Sequence, residues 1–241
     1  LSELVDLEVT AFPQDGIFTS PEGLERLEQA LELGADNVGL APHLEFTRAE
    51  GVRSIDAAFE LAKRYGRRID GHVDETDDEQ SRFLEVLAAK TIREGYQGRV
   101  MADHVCALSS YDDYHAAKVV RAIKIAGITI ETNPETNLVL EGRLDTYPKR
   151  RGLTRVKQLL RAGVNVTYGQ DCVNDPFYPF GKCDPLLTGF VLALAEQMTT
   201  PKEIEAVFDM ATFNAARAIG VHEEYGIEIE KRADLVVRVT C

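Results

Sequence analysis

The sequence predicts an α/β fold with a parallel sheet, and three observations support that prediction. Short β-branched runs alternate with amphipathic ones, and the amphipathic runs have helical spacing. Parallel neighbours cannot be joined by a tight turn, and the intervening runs are long enough to be crossover helices. No linker or low-complexity segment divides the 241 residues, which are 44% hydrophobic and 28% charged, so one buried core is expected. Such crossovers build either a doubly wound sheet or an eight-stranded barrel. No GxGxxG or GxxxxGKS/T follows any strand, so nucleotide-binding sheets lose support.

The elements follow in order. Residues 5–12, 37–41, 67–73, 99–105, 128–133 and 165–171 read as strands. Ser20 as N-cap and Pro21 at the first helical position open a helix that carries Leu24, Leu27 and Leu31 on one face and stops at Gly34. Ser54 opens the next, with Ile55, Ala58, Phe59 and Ala62 on one face and Gly66 closing it. Further helices are expected over 79–95, 112–127 and, shorter, 154–163. After Asp171 comes a loop rich in Pro, Asp and aromatic residues, 175–181, then two helical patterns ending near Gly220. A last strand-like run occupies 233–239.

Composition narrows the function. The formal charge of −13, from 40 acidic and 27 basic side chains, disfavours nucleic-acid backbones and anionic membranes as partners. No apolar run approaches the length of a membrane span, and no signal peptide is visible. The four cysteines form no CxxC, which fits a reducing cytoplasm better than a disulfide scaffold. A chain that starts without Met and stops on a strand-like run reads as an internal fragment.

The chemistry is expected where strands end, since parallel α/β folds gather their sites there. Gln14 follows the first strand, His72 and Glu75 the third, His104 the fourth, Asn133 the fifth and Asp171 the sixth. Imidazole nitrogen and carboxylate oxygen suit Zn²⁺ or Fe²⁺, and an ion with an open position acidifies its water. His72 and Asp171 are among the candidate ligands, and Asp171 could also accept a proton. Glu75, three residues after His72, suits a proton shuttle; His104 is either a ligand or the group that orients water and polarises substrate. His43 is a candidate pocket residue, and Cys172 a candidate substrate contact. His115 and His222 are expected at the surface, and Cys106 as a buried thiol. The acidic run 74–79 is expected to be a solvated loop and helix start, with only Glu75 in the site. The cluster Lys149-Arg150-Arg151 is too short to bind nucleic acid.

At these residues the sequence resembles the bacterial cytosine deaminases of the amidohydrolase superfamily. The likeness rests on Val9-Thr10-Ala11-Phe12-Pro13-Gln14-Asp15-Gly16, Pro42-His43-Leu44-Glu45-Phe46-Thr47-Arg48 and Asp70-Gly71-His72-Val73-Asp74-Glu75. It continues through Asp77-Asp78-Glu79-Gln80-Ser81-Arg82-Phe83, Ala102-Asp103-His104, the run from Gly142 to Gly152, and Gly169-Gln170-Asp171-Cys172 with Asp175-Pro176.

The resemblance implies a TIM-like (β/α)8 barrel of the metal-dependent hydrolase type, with one Fe²⁺ or Zn²⁺, and suggests a homo-oligomer. It implies that His72 and Asp171 hold the metal and that Glu75 carries a proton to the ring nitrogen. His104 would activate water and hold substrate, and Gln14 would read the amide edge of a pyrimidine. Hydroxide attack at the carbon bearing the amino group would release ammonia.

The family's His-x-His pair is absent, and the first strand here matches the third of the family. About six of eight barrel strands are therefore expected within 1–226, with 227–241 starting a C-terminal β-sandwich, and these residues alone are expected to be inactive. Cys172 stands where the family often has Asp, which resembles members accepting 5-methylcytosine. Creatinine, isocytosine and N-alkylated triazines remain alternative substrates, as does binding without turnover.

Overall fold

A computed structural model of the chain describes residues 5–231. Six strands form one sheet: β1 (Thr10–Ala11), β2 (Asn37–Val38), β3 (Arg68–Val73), β4 (Val100–His104), β5 (Thr129–Thr132) and β6 (Val166–Tyr168). Every pairing is parallel and the order in space is the order in sequence. A doubly wound sheet reverses its strand order at a switch point, whereas a barrel adds each strand beside the last. The winding is thus that of the (β/α) barrel, represented by six strands. Among the described residues β1 and β6 do not pair with each other, so the wall is open.

The register sorts side chains onto two faces. Ile69 pairs with Val100 and Val38, and Ala102 with Gly71 and Ile130, while Ile130 also pairs with Val166. These apolar residues are buried under the helices. The opposite face is polar: Asp70, His72, Asp103, Glu131 and Thr167 share it, as the alternation of strand side chains requires.

The helices on the apolar side are α1 (Gly23–Glu32), α2 (Arg48–Tyr65), α3 (Phe83–Arg93) and α4 (Asp113–Ala126). After β5 come α5 (Pro134–Leu140) and α6 (Val156–Arg161). After β6 come α7 (Pro185–Ala195), α8 (Pro201–Ala211) and α9 (Phe213–Ala218). Phe59, Ile55, Leu84, Leu87 and Ile123, all fully buried, fill the space between α2, α3, α4 and the sheet.

Several boundaries differ from expectation for identifiable reasons. Gly23, not Ser20, begins α1, since Ser20 and Pro21 lie in a preceding turn and Glu22 takes the N-cap position. Thr47 caps α2, accepting from the Glu50 amide at 3.2 Å, so that helix starts about two turns before the expected cap Ser54. Ser54 is buried inside α2 and its hydroxyl bonds the Gly51 carbonyl at 2.9 Å. Three helices follow the last loop instead of two, because Thr212 leaves helical geometry between α8 and α9. The strands are shorter than the β-branched runs, since ladders form only where both neighbours reach. The run 233–239 lies outside the described residues, and no helix among those described is long and apolar enough to cross a membrane.

Candidate active site

Three strand ends converge. Atoms of His72, His104 and Asp171 that can bind a metal lie within 4.8 Å of one another. His72 reaches the site by alternation along β3. His104 does not: its register partner is Val73, on the helix-covered face. Left-handed backbone at His104 (φ 66°) and Val105 (φ 50°) ends that alternation, and the His104 ring comes to lie 4.3 Å from that of His72. Asp171 is likewise left-handed (φ 67°). Backbone of this kind costs about 1–3 kcal/mol per residue and persists where surrounding packing enforces it. Gly169, between β6 and Asp171, has no room for a side chain, because a Cβ there would sit 2.5 Å from Glu131 Oε1.

Glu75 joins the two imidazoles. Its Oε2 lies 3.2 Å from His72 Nδ1 and its Oε1 3.2 Å from His104 Nδ1. Burial works to raise the Glu75 pKa, but the bond to His72 and the charges of the surrounding imidazoles outweigh it and hold the carboxylate below its ordinary range. Burial pulls His72 down, while the Glu75 bond and the charges of Glu75, Asp171 and Asp70 pull it up and prevail. His104 has no solvent-exposed side-chain surface, and burial lowers its pKa to about 4, so it is neutral at pH 7. Asp171 stands exposed at the mouth of the site, yet its carboxyl group is low enough in it for desolvation to raise its pKa.

Two asparagines complete the arrangement. The Asn137 amide nitrogen lies 3.0 Å from His104 Nδ1 and donates to Glu75 Oε1 at 3.3 Å. Asn133 turns its amide nitrogen to Glu131 Oε1 (3.2 Å) and the Gly169 carbonyl (3.1 Å), which presents its oxygen to His104 Nε2. Both asparagines belong to the start of α5, where Pro134 occupies the first turn. The sequence reading noted Asn133 but missed α5 and Asn137. The signal was Asn-Pro-x-x-Asn: a Pro suited to the first helical position places residues four apart on one side of a helix.

The other expected residues divide. Cys172 is beside the cluster, its Sγ 3.5 Å from Asp171 Oδ2, and burial raises its thiol pKa to about 12. Gln14 is exposed and lines a cavity of about 280 Å³ against α1. Among the described residues no hydrogen bond ties Gln14 to the four; Phe12, two residues earlier, packs its ring 4.3 Å from that of His72. His43 lies in the turn Pro42–Leu44, largely buried and within electrostatic reach of Glu75 and His72.

Asp74 departs from the expected solvated loop. It is fully buried, and its carboxylate accepts from Ser81 Oγ (2.6 Å) and from the amides of Phe83 (3.0 Å) and Leu84 (2.9 Å), so it satisfies the free donors at the start of α3. His115 is half-buried against Tyr111 and 3.3 Å from Glu85, unlike the surface residue expected; His222 is exposed and Cys106 buried, as expected. Arg150 of the basic cluster is taken up by Asp145 and Asp77.

Comparison with known proteins agrees with the fold. The crystal structure of 5-methylcytosine deaminase from Klebsiella pneumoniae, liganded with 5-fluorocytosine, superposes with a TM-score of 0.94 at 43% identity over 96% of this chain and 56% of that one. N-isopropylammelide isopropyl amidohydrolase of Pseudomonas sp. (strain ADP) is 30% identical over 238 residues, 98% of this chain and 55% of the relative. Pterin deaminase of Rhizobium rhizogenes is 37% identical over 133 residues, 55% of this chain and 30% of the relative. The chain thus spans about half the length of the first two relatives. Residues 5–238 match the amidohydrolase family, and with a partial (β/α) barrel that brings two histidines and an aspartate together at its strand ends, the chain belongs to that family.

Proposed function

We propose that the protein is a metal-dependent hydrolytic deaminase of cytosine or a 5-substituted cytosine, releasing ammonia. The observation that carries this is the convergence of His72, His104 and Asp171 within 4.8 Å, with Glu75 against both imidazoles. The 43% likeness to a 5-methylcytosine deaminase supports the pyrimidine.

The residues present fit a divalent ion. Imidazole nitrogen with carboxylate oxygen is a donor set for Fe²⁺ or Zn²⁺, and His72 through Nε2 and Asp171 through its carboxylate would hold it. His72 Nδ1 is already occupied by Glu75, as expected for a ligating histidine whose second nitrogen is fixed. When bound, such an ion supplies hydroxide at neutral pH by acidifying water.

The chain's own groups do the rest. Glu75, ionised at neutral pH, takes a proton at a carboxylate oxygen and hands it to the ring nitrogen. Neutral His104, whose Nδ1 is held by Asn137 and Glu75, would exchange its Nε2 contact with Asn133 for water and substrate. Asp171 takes the proton of the hydroxyl added at the amino-bearing carbon and passes it to the departing amino group, which leaves as ammonia. Cys172 faces the C5 edge, where a thiol leaves more room and less charge than a second aspartate. Gln14 reads the amide edge, an assignment that needs the loop after β1 to turn inward on binding. The reading makes a small pyrimidine the partner and a cytoplasmic homo-oligomer the assembly.

A second reading has its own observation: the 30% identity to N-isopropylammelide isopropyl amidohydrolase spans 98% of this chain. The test is amine release by the iron- and zinc-loaded full-length protein from cytosine, 5-methylcytosine, isocytosine, creatinine and N-isopropylammelide. Ammonia from cytosine or 5-methylcytosine, falling about 10²–10⁴-fold in Glu75→Gln, is expected. Isopropylamine alone would favour the second reading, and no amine from any of the five would reject both.

A further inference from the structure

The loop after β6 carries Asp171 and Cys172, yet little of it is buried. From Asp171 to Leu187 the single buried residue is Tyr178; Val173, Phe177 and Phe180 are exposed. The Tyr178 hydroxyl reaches across to α5 and donates to Glu135 Oε2 at 2.8 Å. Glu135 is itself 3% exposed, and its other oxygen accepts from Thr188 Oγ1 of α7 at 2.6 Å. A buried carboxylate is costly unless hydrogen-bonded, and two hydroxyl donors, one to each oxygen, offset that cost only while the loop stays down.

The loop is built to transmit the anchor. Asp175 Oδ1 accepts from the amides of Phe177 (2.9 Å) and Tyr178 (3.0 Å), which fixes the turn presenting the phenol. The Gln170 side chain ties the two ends, donating to the Cys172 carbonyl at 3.0 Å and accepting from the Lys182 amide at 3.3 Å. Gly181 allows this closure, since a Cβ there would lie 2.1 Å from Gln170 Nε2. Thr136, next to Glu135, donates to the Gln170 carbonyl at 2.9 Å and faces the Cys172 amide at 3.4 Å. The same short helix therefore holds His104 and Glu75 through Asn137 and the loop through Glu135 and Thr136.

We propose that Glu135 is a positioning residue: through the Tyr178 hydroxyl it seats the loop 172–183 against α5 and so sets where Cys172 stands over the substrate. The proposal deepens the proposed deaminase function and rests on it for the presence of a substrate in the site. Its primary test does not need turnover.

Amide hydrogen exchange of loop 172–183 and the rate of Cys172 alkylation are measured in the purified native protein, Tyr178→Phe, Glu135→Leu and Glu135→Gln. Loss of the anchor in Tyr178→Phe and Glu135→Leu is expected to speed both at least tenfold while α2–α4 keep native exchange. Glu135→Gln, which still offers a carbonyl oxygen to the phenol, is expected to restore most of the protection. With a substrate in hand, Tyr178→Phe raises KM more than it lowers kcat. Native-like loop exchange and alkylation in folded Tyr178→Phe would overturn the proposal, as would unchanged KM in a variant whose loop is open. Open-loop variants of a native protein that turns over none of the five substrates would leave the anchor supported and the proposed chemistry rejected.

Discussion

Asn137 shows how much a single amide can carry. It touches the neutral, fully buried His104 and the ionised Glu75 at once, across 62 residues of chain from Glu75. Removing it leaves a buried imidazole nitrogen without its amide partner, a loss of about 1–3 kcal/mol. Asn137 positions Glu75, whose other oxygen fixes His72 Nδ1, and outer partners of a ligating histidine usually matter 10–100-fold for metal affinity or activity. Asn137→Ala is therefore expected to lower kcat/KM by about 10–100-fold and to lower the melting temperature modestly, read by steady-state kinetics and thermal melts on the same preparation. A variant with native kinetics would remove Asn137 from the site.

Among the elements, α2 depends on its first turn. Thr47 accepts from the Glu50 amide, and its hydroxyl donates to Glu50 Oε2 at 2.9 Å, so cap and carboxylate brace each other. Gly66 closes the other end in left-handed geometry (φ 67°), returning its amide to Ala62 and Lys63. The helix buries Ile55, Ala58 and Phe59 against the sheet, so fraying at Thr47 loosens the layer beside His43. Thr47→Ala is expected to cost about 1 kcal/mol and Thr47→Ser close to nothing, measured as the shift of the urea midpoint with unchanged slope.

For the whole molecule, the balance of buried carboxyls sets the pH dependence. Burial, and then the neighbouring Asp77 carboxylate, push Glu141 up to about 8, with Arg150 pulling the other way. Burial raises Glu131 to about 8 as well, followed by the charges of Asp70 and Asp171. A carboxyl whose folded pKa lies above its unfolded value keeps its proton longer in the native state. Its contribution is fully present below the ordinary glutamate pKa and is lost as pH rises through about 8. Glu141→Gln should therefore gain stability relative to native as pH increases from about 5 to about 8, with the difference level above that. Melting curves of the pair across that range check it; a difference that shrinks with pH would contradict it.

The six strands, their alternation with helices and the chemical types at the strand ends were legible in the sequence, because period and turn chemistry are local; the pattern left doubly wound sheet and barrel open, and only the family resemblance favoured the barrel. His72, Glu75, His104 and Asp171 could be singled out on that basis, and the structure brings them together. Other features depended on groups far apart in the chain. Asp74 looks like one more acid in a polar run, and only the return of α3 onto its carboxylate buries it. The helix α5 is too short for a periodic signal, and the four polar residues from Asn133 to Asn137 are buried by partners on β4, β5, α7 and the chain just after β3 and β6. The turn of His104 into the site is a left-handed backbone choice opposed by local preference and enforced by packing. Local patterns determined which elements form and which residues could react; the reaching distances between those residues were decided by tertiary contacts, because burial and hydrogen-bond satisfaction are properties of the assembled chain.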